Sequence, residues 1–279
     1  MDYHGTGLLG DLSPPIKRCS YKGRQQFLDI FLTTSNHLEH TKTDNTSECI
    51  LFDNVNEQIF LHDFLDPSPD DNDTLLSRSW TTYSAAEQLL LVQVITGEHA
   101  AARVAFQDIL FAAVEPTGLN EVLQGFTDKT ISGTNKSKQG DGGWAPRRPP
   151  QGRSKMWPAV VLEVAVSESQ SKLFSDVWFW LYESQGVVKI VLALTVKRKS
   201  PEVTIEKWEL QNNRIHCSQT VGVSKSRADG TITVHNDPLV IEFEKLFLRD
   251  SEIPKETDVY IDSGKLENLA DAVWCAQDF

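Results

Sequence analysis

The stretch Pro158-Ala-Val-Val-Leu-Glu-Val-Ala-Val166 decides the fold class of this chain, together with the residues that follow it as far as Val196. In an extended strand, successive side chains point to opposite faces. Both faces of this stretch are apolar, apart from the single carboxylate of Glu163. A strand that is apolar on both sides is typical of a sheet that is covered on both faces. The sequence therefore predicts a buried strand that carries one acid.

A helix and a second buried strand are predicted directly after it. Ser167-Glu-Ser169 supplies a helix cap, apolar residues recur at helical spacing from Leu173 to Leu181, and the pattern ends near Gly186. The almost continuous apolar run Val187–Val196 then predicts a strand that is buried on both faces. A strand, a crossover helix and another strand in this order predict two parallel neighbours in one sheet.

The flanking segments complete a predicted mixed α/β core. Apolar spacing predicts a helix over Glu98–Val114, which Pro116 ends. Leu89–Ile95 either extends a helix that begins at the capping pattern Ser84-Ala-Ala-Glu87 or forms a short strand. Further runs predict antiparallel strands at Val203–Leu210, Ile215–Val221 and Thr231–His235, while Leu239–Leu248 fits a strand or a helix. We predict a central mixed sheet flanked by helices.

The chain divides into three predicted parts. Residues 1–78 form a polar N-terminal extension that ends in the acidic, proline-containing segment Asp66–Asp73, which is typical of a linker or long loop. Residues 79–250 hold the core, and residues 251–279 form an acidic tail that packs only in part. Because 40% of the residues are hydrophobic, the chain can bury a sizeable core.

Cysteine spacing and hydropathy set the expected compartment. The four cysteines are scattered and form neither a CxxC pair nor a Cys/His cluster, which predicts no zinc site and no disulfide framework. The N-terminal residues lack the pattern of a secretory signal, and no apolar run is long enough to span a bilayer. We therefore expect an intracellular protein of the cytoplasm or nucleus.

Charge is distributed unevenly along the chain. A net charge of −12 repels a polyanion if it is spread evenly over the surface. Between residues 136 and 155, however, six basic residues stand against a single acid, Asp141. This segment predicts either a solvated basic loop or a nucleic-acid contact. The candidate contact residues are Lys138, Arg147, Arg148, Arg153 and Lys155, with Trp144 as a side chain on which a base could stack.

Three acids are candidates for a metal centre. A divalent metal that activates water for phosphodiester hydrolysis needs carboxylate oxygens from several points of the fold. Glu163 lies on an apolar strand, where a carboxylate is costly unless it is paired or bound to metal. Asp141 follows Gly140, and Glu98 begins the first core helix. The simpler alternatives are an ion pair for Glu163, a turn for Asp141 and a helix-dipole contact for Glu98.

The order of these motifs resembles the PD-(D/E)XK nuclease superfamily, in which a helix with an acid precedes an acid on a hairpin and an acid-x-Lys on the next strand. More specifically, the chain resembles a group of fungal proteins of that superfamily. The motifs that carry the resemblance are Gly97-Glu-His99, Gly140-Asp141, Trp157–Val164, Ser167-Glu-Ser169, Asp176–Leu181 and Val188–Val191.

The resemblance implies a restriction-endonuclease-like core that binds Mg²⁺ or Mn²⁺. Asp141 and Glu163 would be ligands, with Glu98 as a third or water-mediated ligand. One position departs from the family pattern. Ala165 stands two residues after Glu163, where an active enzyme has the lysine that assists the attacking water. Lys172, at the start of the next helix, is the best replacement, ahead of Lys189.

Two functions follow from the resemblance. The first is metal-dependent hydrolysis of DNA or RNA, with Asp141, Glu163 and Lys172 as the catalytic residues. The second is a catalytically inactive module on the same fold that binds nucleic acid or a protein partner, because a fold does not settle function. The nitrogen of Lys172 or Lys189 within a few ångströms of the Asp141 and Glu163 carboxylates favours the first, and the second gains if no lysine comes near.

Overall fold

The computed structural model describes residues 9, 12, 16–40, 47–66, 74–126, 129–134, 136–166 and 170–279. Within these ranges the strands are β1 (Lys17–Ser20), β2 (Cys49–Asp53), β3 (Trp80–Ser84), β4 (Leu89–Gln93), β5 (Leu123–Gly125), β6 (Thr130–Ser132), β7 (Lys136–Gln139), β8 (Gly142–Pro146), β9 (Val160–Val166), β10 (Ile190–Val196), β11 (Glu202–Gln211), β12 (Arg214–Lys225), β13 (Ile232–His235), β14 (Leu239–Ile241) and β15 (Val259–Ile261).

The helices of the same ranges are α1 (Arg24–His40), α2 (Glu57–Ile59), α3 (Thr74–Ser79), α4 (Gly97–Val114), α5 (Gln170–Trp178), α6 (Phe243–Phe247) and α7 (Ser263–Ala276). A π-helical turn continues α2 over Phe60–Leu65 and α5 over Phe179–Glu183, and short 3-10 turns cover Glu115–Thr117 and Asn120–Val122. Among the described residues, no helix is both long enough and apolar enough to cross a membrane.

A seven-stranded mixed sheet forms the centre of the molecule, in the order β13-β12-β11-β10-β9-β8-β5. β9 and β10 run parallel, whereas each of the other neighbouring pairs is antiparallel. Side chains of α4 and α7 pack on one face, and those of the π-helical turn after α5 pack on the other. This cover on both faces is the reason why β9 and β10 are apolar on both faces.

The succession of helix, hairpin, crossover helix and strand agrees with the prediction. β8 and β9 form an antiparallel hairpin, and α5 leads from β9 to its parallel neighbour β10. Leu89–Ile95 contains strand β4, because this run pairs with both β2 and β3, and Leu239–Leu248 divides into β14 and α6. The predicted cap Ser167-Glu-Ser169 lies outside the described residues.

A six-stranded sheet, in the order β1-β2-β4-β3-β7-β6, lies beside the central one. Its strands come from both sides of residue 78, where the boundary of the N-terminal extension was predicted. Its core is aromatic and includes Phe27, Phe52, Phe64 and Trp80. The described part of the N-terminal region is thus integrated into a sheet with later strands, whereas the predicted linker lies largely outside the described residues.

The segment after residue 250 differs from the predicted, partly packed tail. β15 pairs with β14, and α7 buries Leu266, Leu269, Ala270, Val273 and Trp274 in the main core, each 0% exposed. These residues follow helical spacing, and the acids that lie between them in the sequence, Glu267 and Asp271, are half-buried and exposed, respectively. The acidic composition concealed this pattern, so α7 is an integral core helix.

Removal of the cap of α7 tests this integration. Asp262 Oδ1 accepts a hydrogen bond from the backbone N–H of Lys265 at 3.0 Å. We expect Asp262→Ala to lower the free energy of unfolding by about 1 kcal/mol, while Asp262→Asn, which keeps the acceptor, changes it by less. Urea denaturation of the whole chain measures both. Equal midpoints for the wild type and Asp262→Ala would show that α7 frays independently of the core.

Candidate functional site

The two predicted acids meet where the β8–β9 hairpin opens. Gly142 pairs with Leu162 in antiparallel register, so one further step places Asp141 opposite Glu163. At this point the backbone N–H of Val164 donates to Asp141 Oδ2 at 2.8 Å, and the acid thus takes the place of a strand partner. The side chains of Asp141 and Glu163 are only 9% and 3% exposed. The hairpin brings together the two acids that the sequence singled out.

A histidine and an arginine of α4 neutralise Asp141. His99 Nε2 lies 2.9 Å from Asp141 Oδ1, and its other nitrogen, Nδ1, lies 3.3 Å from Glu48 Oε2. Burial opposes the charge of His99, but the carboxylates of Asp141 and Glu48 outweigh it and raise the pKa of His99 to about 10. Burial opposes the charge of Asp141 too, but His99, Arg103 and the N–H of Val164 hold its pKa well below the usual range. These shifts favour the charged forms of both groups at neutral pH.

Glu98, the predicted third metal ligand, lies in a different part of this network. Its Oε1 is 3.4 Å from Arg198 Nε, and Arg198 also contacts Glu48 Oε1 at 3.2 Å. Thr96 donates its hydroxyl to the same oxygen of Glu48 at 2.5 Å. The side chain that faces Asp141 is the neighbour of Glu98 in the sequence, His99. Glu98 therefore serves as an ion-pair partner, which corrects the prediction that it joins Asp141 and Glu163 as a ligand.

The side chain of Glu163 points to the face of β9 that is covered by the π-helical turn after α5, away from α4. Its Oε1 accepts a hydrogen bond from Trp180 Nε1 and lies 3.4 Å from Lys138 Nζ. Burial raises the pKa of Glu163 to about 7, against the opposite effect of Lys138. A Cβ at Gly140 would lie 2.7 Å from the Trp180 ring and 3.5 Å from Glu163 Oε1. Gly140 is therefore required for the close approach of the chain to this acid.

The lysine nearest to Glu163 is Lys138 of β7, rather than Lys172. Lys138 Nζ lies 2.6 Å from Asp176 Oδ1, and its side chain is 0% exposed. Lys172 Nζ contacts the other oxygen of Asp176 at 2.8 Å. Burial favours the neutral form of Asp176, but the two lysines outweigh it and lower its pKa. Lys172 therefore forms a buried ion pair with Asp176, next to the predicted acid Glu163.

Three of the predicted nucleic-acid contacts need correction. Lys138 is fully buried, and Trp144, 2% exposed, packs on Phe106 with ring centroids 5.8 Å apart. Arg153 is half-buried and donates to the carbonyls of Val187 and Pro158 at 2.7 and 3.1 Å. Strands β7 and β8 occupy much of the segment that was predicted to be a basic loop. These three side chains therefore stabilise the fold from within.

Other basic side chains are exposed together at one end of the central sheet. We call this surface, where β9 and β10 begin, the basic end; it consists of Lys129, Arg147, Arg148, Lys155, Lys189 and Arg214. Lys129 Nζ lies 3.5 Å from the carbonyl of Lys155, and Lys189 immediately precedes β10. Glu121 and Glu183 are acids at the same end. Arg147, Arg148 and Lys155 are thus exposed at this end, and their contact with nucleic acid stays a prediction.

The basic end is far from the two acids. Asp141 directly precedes β8 and Arg147 directly follows it. At about 3.3 Å per residue the two are separated by roughly 20 Å. A phosphate held by the basic end therefore does not reach the acids of the same molecule, and the predicted combined site divides into two.

The acids do not fit a divalent cation in this arrangement. Among the described residues, no group of three His, Cys, Asp or Glu side chains could hold a metal ion. With Glu163 ionised, the buried network around the two acids has as many negative as positive side chains, so their charges cancel. A divalent cation added to it would bring a buried charge that nothing compensates. The cations are His99, Arg103, Lys138, Lys172 and Arg198, and the acids are Glu48, Glu98, Asp141, Glu163 and Asp176.

Several residues of this network were not found from the sequence. His99 and Arg103 lie four residues apart on α4, and this spacing places them on the same face of the helix, a signal that could have been used. Trp180 lies within the predicted helical run of apolar residues from Leu173 to Leu181, and it also donates to Glu163. Glu48 and Arg198 left no local signal, because they meet only in the folded chain.

The fold and the site together define a mixed α/β protein with the order of elements that the nuclease resemblance implied. No protein-family model and no curated protein matches the chain. A solved structure described as "a putative nuclease belonging to DUF820", from Anabaena variabilis ATCC 29413, is similar at 12% identity, over 69% of this chain and 90% of that chain, with a TM-score of 0.36. The resemblance to a group of fungal proteins stays a prediction.

Proposed function

We propose that this chain is a non-catalytic module on a nuclease-like fold and that it binds nucleic acid through the basic end. The observation that carries the proposal is the division of the predicted site. The acids lie inside and are neutralised by cations of the protein itself, whereas the cations that could contact phosphates lie outside, roughly 20 Å away along β8.

The exposed position of the basic end supports a polyanionic partner. Arginine and lysine side chains that neutralise phosphates release counterions, and this release supplies most of the affinity of binding that is independent of sequence. Because Trp144 is buried, we expect contacts with phosphates rather than stacking on bases. The proposal thus predicts affinity that falls steeply with salt and depends little on sequence.

Charge reversal at the basic end tests the proposal. We expect Arg148→Glu with Lys155→Glu to weaken binding at least tenfold at about 50 mM salt, because two phosphate contacts become repulsive. Fluorescence anisotropy with labelled single- and double-stranded DNA and RNA, in EDTA, measures the affinity. The matched control is Lys197→Glu with Arg227→Glu, which reverses two exposed cations at the opposite end of the sheet.

The control separates a local contact from a general effect of charge. An equal loss in both double variants would show that only the net charge matters, and no binding by the wild type at low salt would overturn the proposal. Competition by poly-glutamate as effective as that by DNA would point to an acidic protein partner instead.

A second candidate is metal-dependent hydrolysis of a phosphodiester, and one contact favours it. Lys138 Nζ, 3.4 Å from Glu163 Oε1, supplies a lysine beside the acid although position 165 is alanine. Incubation of the wild type with DNA and RNA in Mn²⁺ tests this function. Cleavage that is lost in Asp141→Ala and in Glu163→Ala would replace the proposed function by this one.

A further inference from the structure

A guanidinium group links the loop between β8 and β9, residues 147–159, to the central sheet. Residues 150–156 of this loop are exposed except for Arg153, which is half-buried. Arg153 Nη1 donates to the carbonyl of Val187 at 2.7 Å, and its Nη2 donates to the carbonyl of Pro158 at 3.1 Å. Val187 lies shortly before β10 and Pro158 shortly before β9. Arg153 therefore holds the middle of the loop against the starts of the two parallel strands.

Three cations of the basic end lie around this link. Arg148 and Lys155 belong to the loop, on either side of Arg153, and both are exposed. Lys189, also exposed, immediately precedes β10, and its Nζ donates to the carbonyl of Gly186 at 2.7 Å. The next carbonyl along the chain is the one that accepts from Arg153. The position of the two loop cations relative to Lys189 therefore depends on this contact.

The positive charge at this link is not balanced by an acid of the described residues. Burial lowers the pKa of Arg153, and burial together with the charge of Arg153 lowers the pKa of Lys189. No described carboxylate offsets either shift. The chain has 39 acidic and 27 basic side chains, so a shortage of acids is not the reason. An anion from outside the chain would stabilise both cations.

We propose that Arg153 is a positioning residue that holds the loop against the segment before β10, so that Arg148, Lys155 and Lys189 form one pre-organised phosphate site in the free protein. A site that is ordered before binding loses less conformational entropy when it binds. The inference rests on the proposed function and deepens it, because it assigns a role at the basic end to a side chain that does not itself contact the phosphates.

Arg153→Lys tests this role, because it keeps the charge and removes the fork that spans two carbonyls. We expect it to weaken the binding of the labelled DNA or RNA about fivefold at about 50 mM salt, since the loop must then be ordered during binding. The matched control is Arg24→Lys. Arg24 is a half-buried arginine of α1 that contacts Asp63 Oδ1 at 2.9 Å and the carbonyl of His62 at 3.1 Å. Its exchange should leave the affinity within about twofold of the wild type.

The salt dependence of binding separates a positioning residue from a phosphate contact. Loss of one phosphate contact lowers the slope of log affinity against log salt concentration by about 0.7–0.9. We expect Lys155→Gln to show this change, whereas Arg153→Gln weakens binding and keeps the slope of the wild type. A shallower slope for Arg153→Gln would show that Arg153 itself contacts a phosphate, and it would overturn the positioning role.

A measurement without nucleic acid tests the order of the loop in the wild type. Trypsin cleaves after Lys155 only when the surrounding chain leaves its folded position. We expect the folded wild type to be cleaved there at least about fiftyfold more slowly than a synthetic peptide of residues 147–159, and Arg153→Lys to be cleaved faster than the wild type. Equal rates for the wild type and the peptide would overturn the inference, even if Arg153→Lys folds poorly.

The inference and the proposed function fail in different ways. Wild type that binds no nucleic acid would overturn the proposed function, and the role of Arg153 with it. Binding that is equally tight in the wild type and in Arg153→Lys would overturn the inference and leave the proposed function in place.

Discussion

His99→Ala is expected to lower the free energy of unfolding by about 3–5 kcal/mol at pH 7, because it removes one partner from two buried ion pairs. The imidazolium lies between Asp141 and Glu48, and its side chain is 0% exposed. Without it both carboxylates remain buried with less compensation. Since domains of this kind are commonly stable by about 5–15 kcal/mol, the loss is a large share of the total. Urea denaturation at pH 7 measures it.

An exposed histidine and the pH dependence provide the controls for this prediction. His216→Ala, on the exposed side of β12, is expected to change the free energy by less than about 0.5 kcal/mol. The pKa of His99 is raised to about 10, so its stabilisation is complete below its ordinary value, near 6.5, and is lost as pH rises through about 10. The difference in free energy of unfolding between the wild type and His99→Ala should therefore become smaller from pH 7 to pH 10. A difference that stays constant would contradict the charged state of His99.

Glu163→Gln is expected to gain about 3 kcal/mol relative to the wild type between pH 4.5 and pH 8. Burial raises the pKa of Glu163 from 4.5 to about 7 in the folded state. The unfolded chain loses its proton first, so the wild type loses stability as pH rises between these values, at about 1.4 kcal/mol per unit. Glutamine carries no titrating proton and keeps an oxygen that can accept from Trp180 Nε1. The free energy of unfolding of Glu163→Gln should therefore not fall with rising pH in this way.

The measurement is a series of urea denaturations of both proteins at half-unit steps of pH. The difference between the two free energies of unfolding is the relevant quantity, because distant titrating groups cancel in it. Glu244→Gln, on the exposed side of α6, is the matched control for the exchange of a carboxylate for an amide. Parallel profiles for wild type and Glu163→Gln would mean that Glu163 titrates as an ordinary glutamate.

The β9–α5–β10 unit was predictable because its signals are local. Alternation of side chains, helical spacing and a glycine at the end of the helix each act within a few residues, and the structure has both strands and the helix at the expected places. The position of Glu163 within the strand follows from the same pattern. The register of the hairpin then places Asp141 opposite it.

Composition misled the prediction where it was used in place of periodicity. The acidic residues after position 250 suggested a partly packed tail, although Leu266, Leu269 and Val273 follow the spacing of a buried helix face. The cations between 136 and 155 likewise suggested one surface. Two of them, Lys136 and Lys138, lie on β7 and point into the fold, so a count of charges along the chain did not describe a charge on the surface.

The sequence by itself determined the mixed α/β class, the parallel βαβ unit and the two acids at the opening of its hairpin. Only the tertiary structure decided which side chains pair with those two acids. Glu163 receives Lys138 from a strand of another sheet, and Asp141 is linked through His99 to Glu48 and on to Arg198, which lies 150 residues from Glu48 in the sequence. Charges act through space and leave no periodic pattern along the chain, so their pairing is fixed by packing alone.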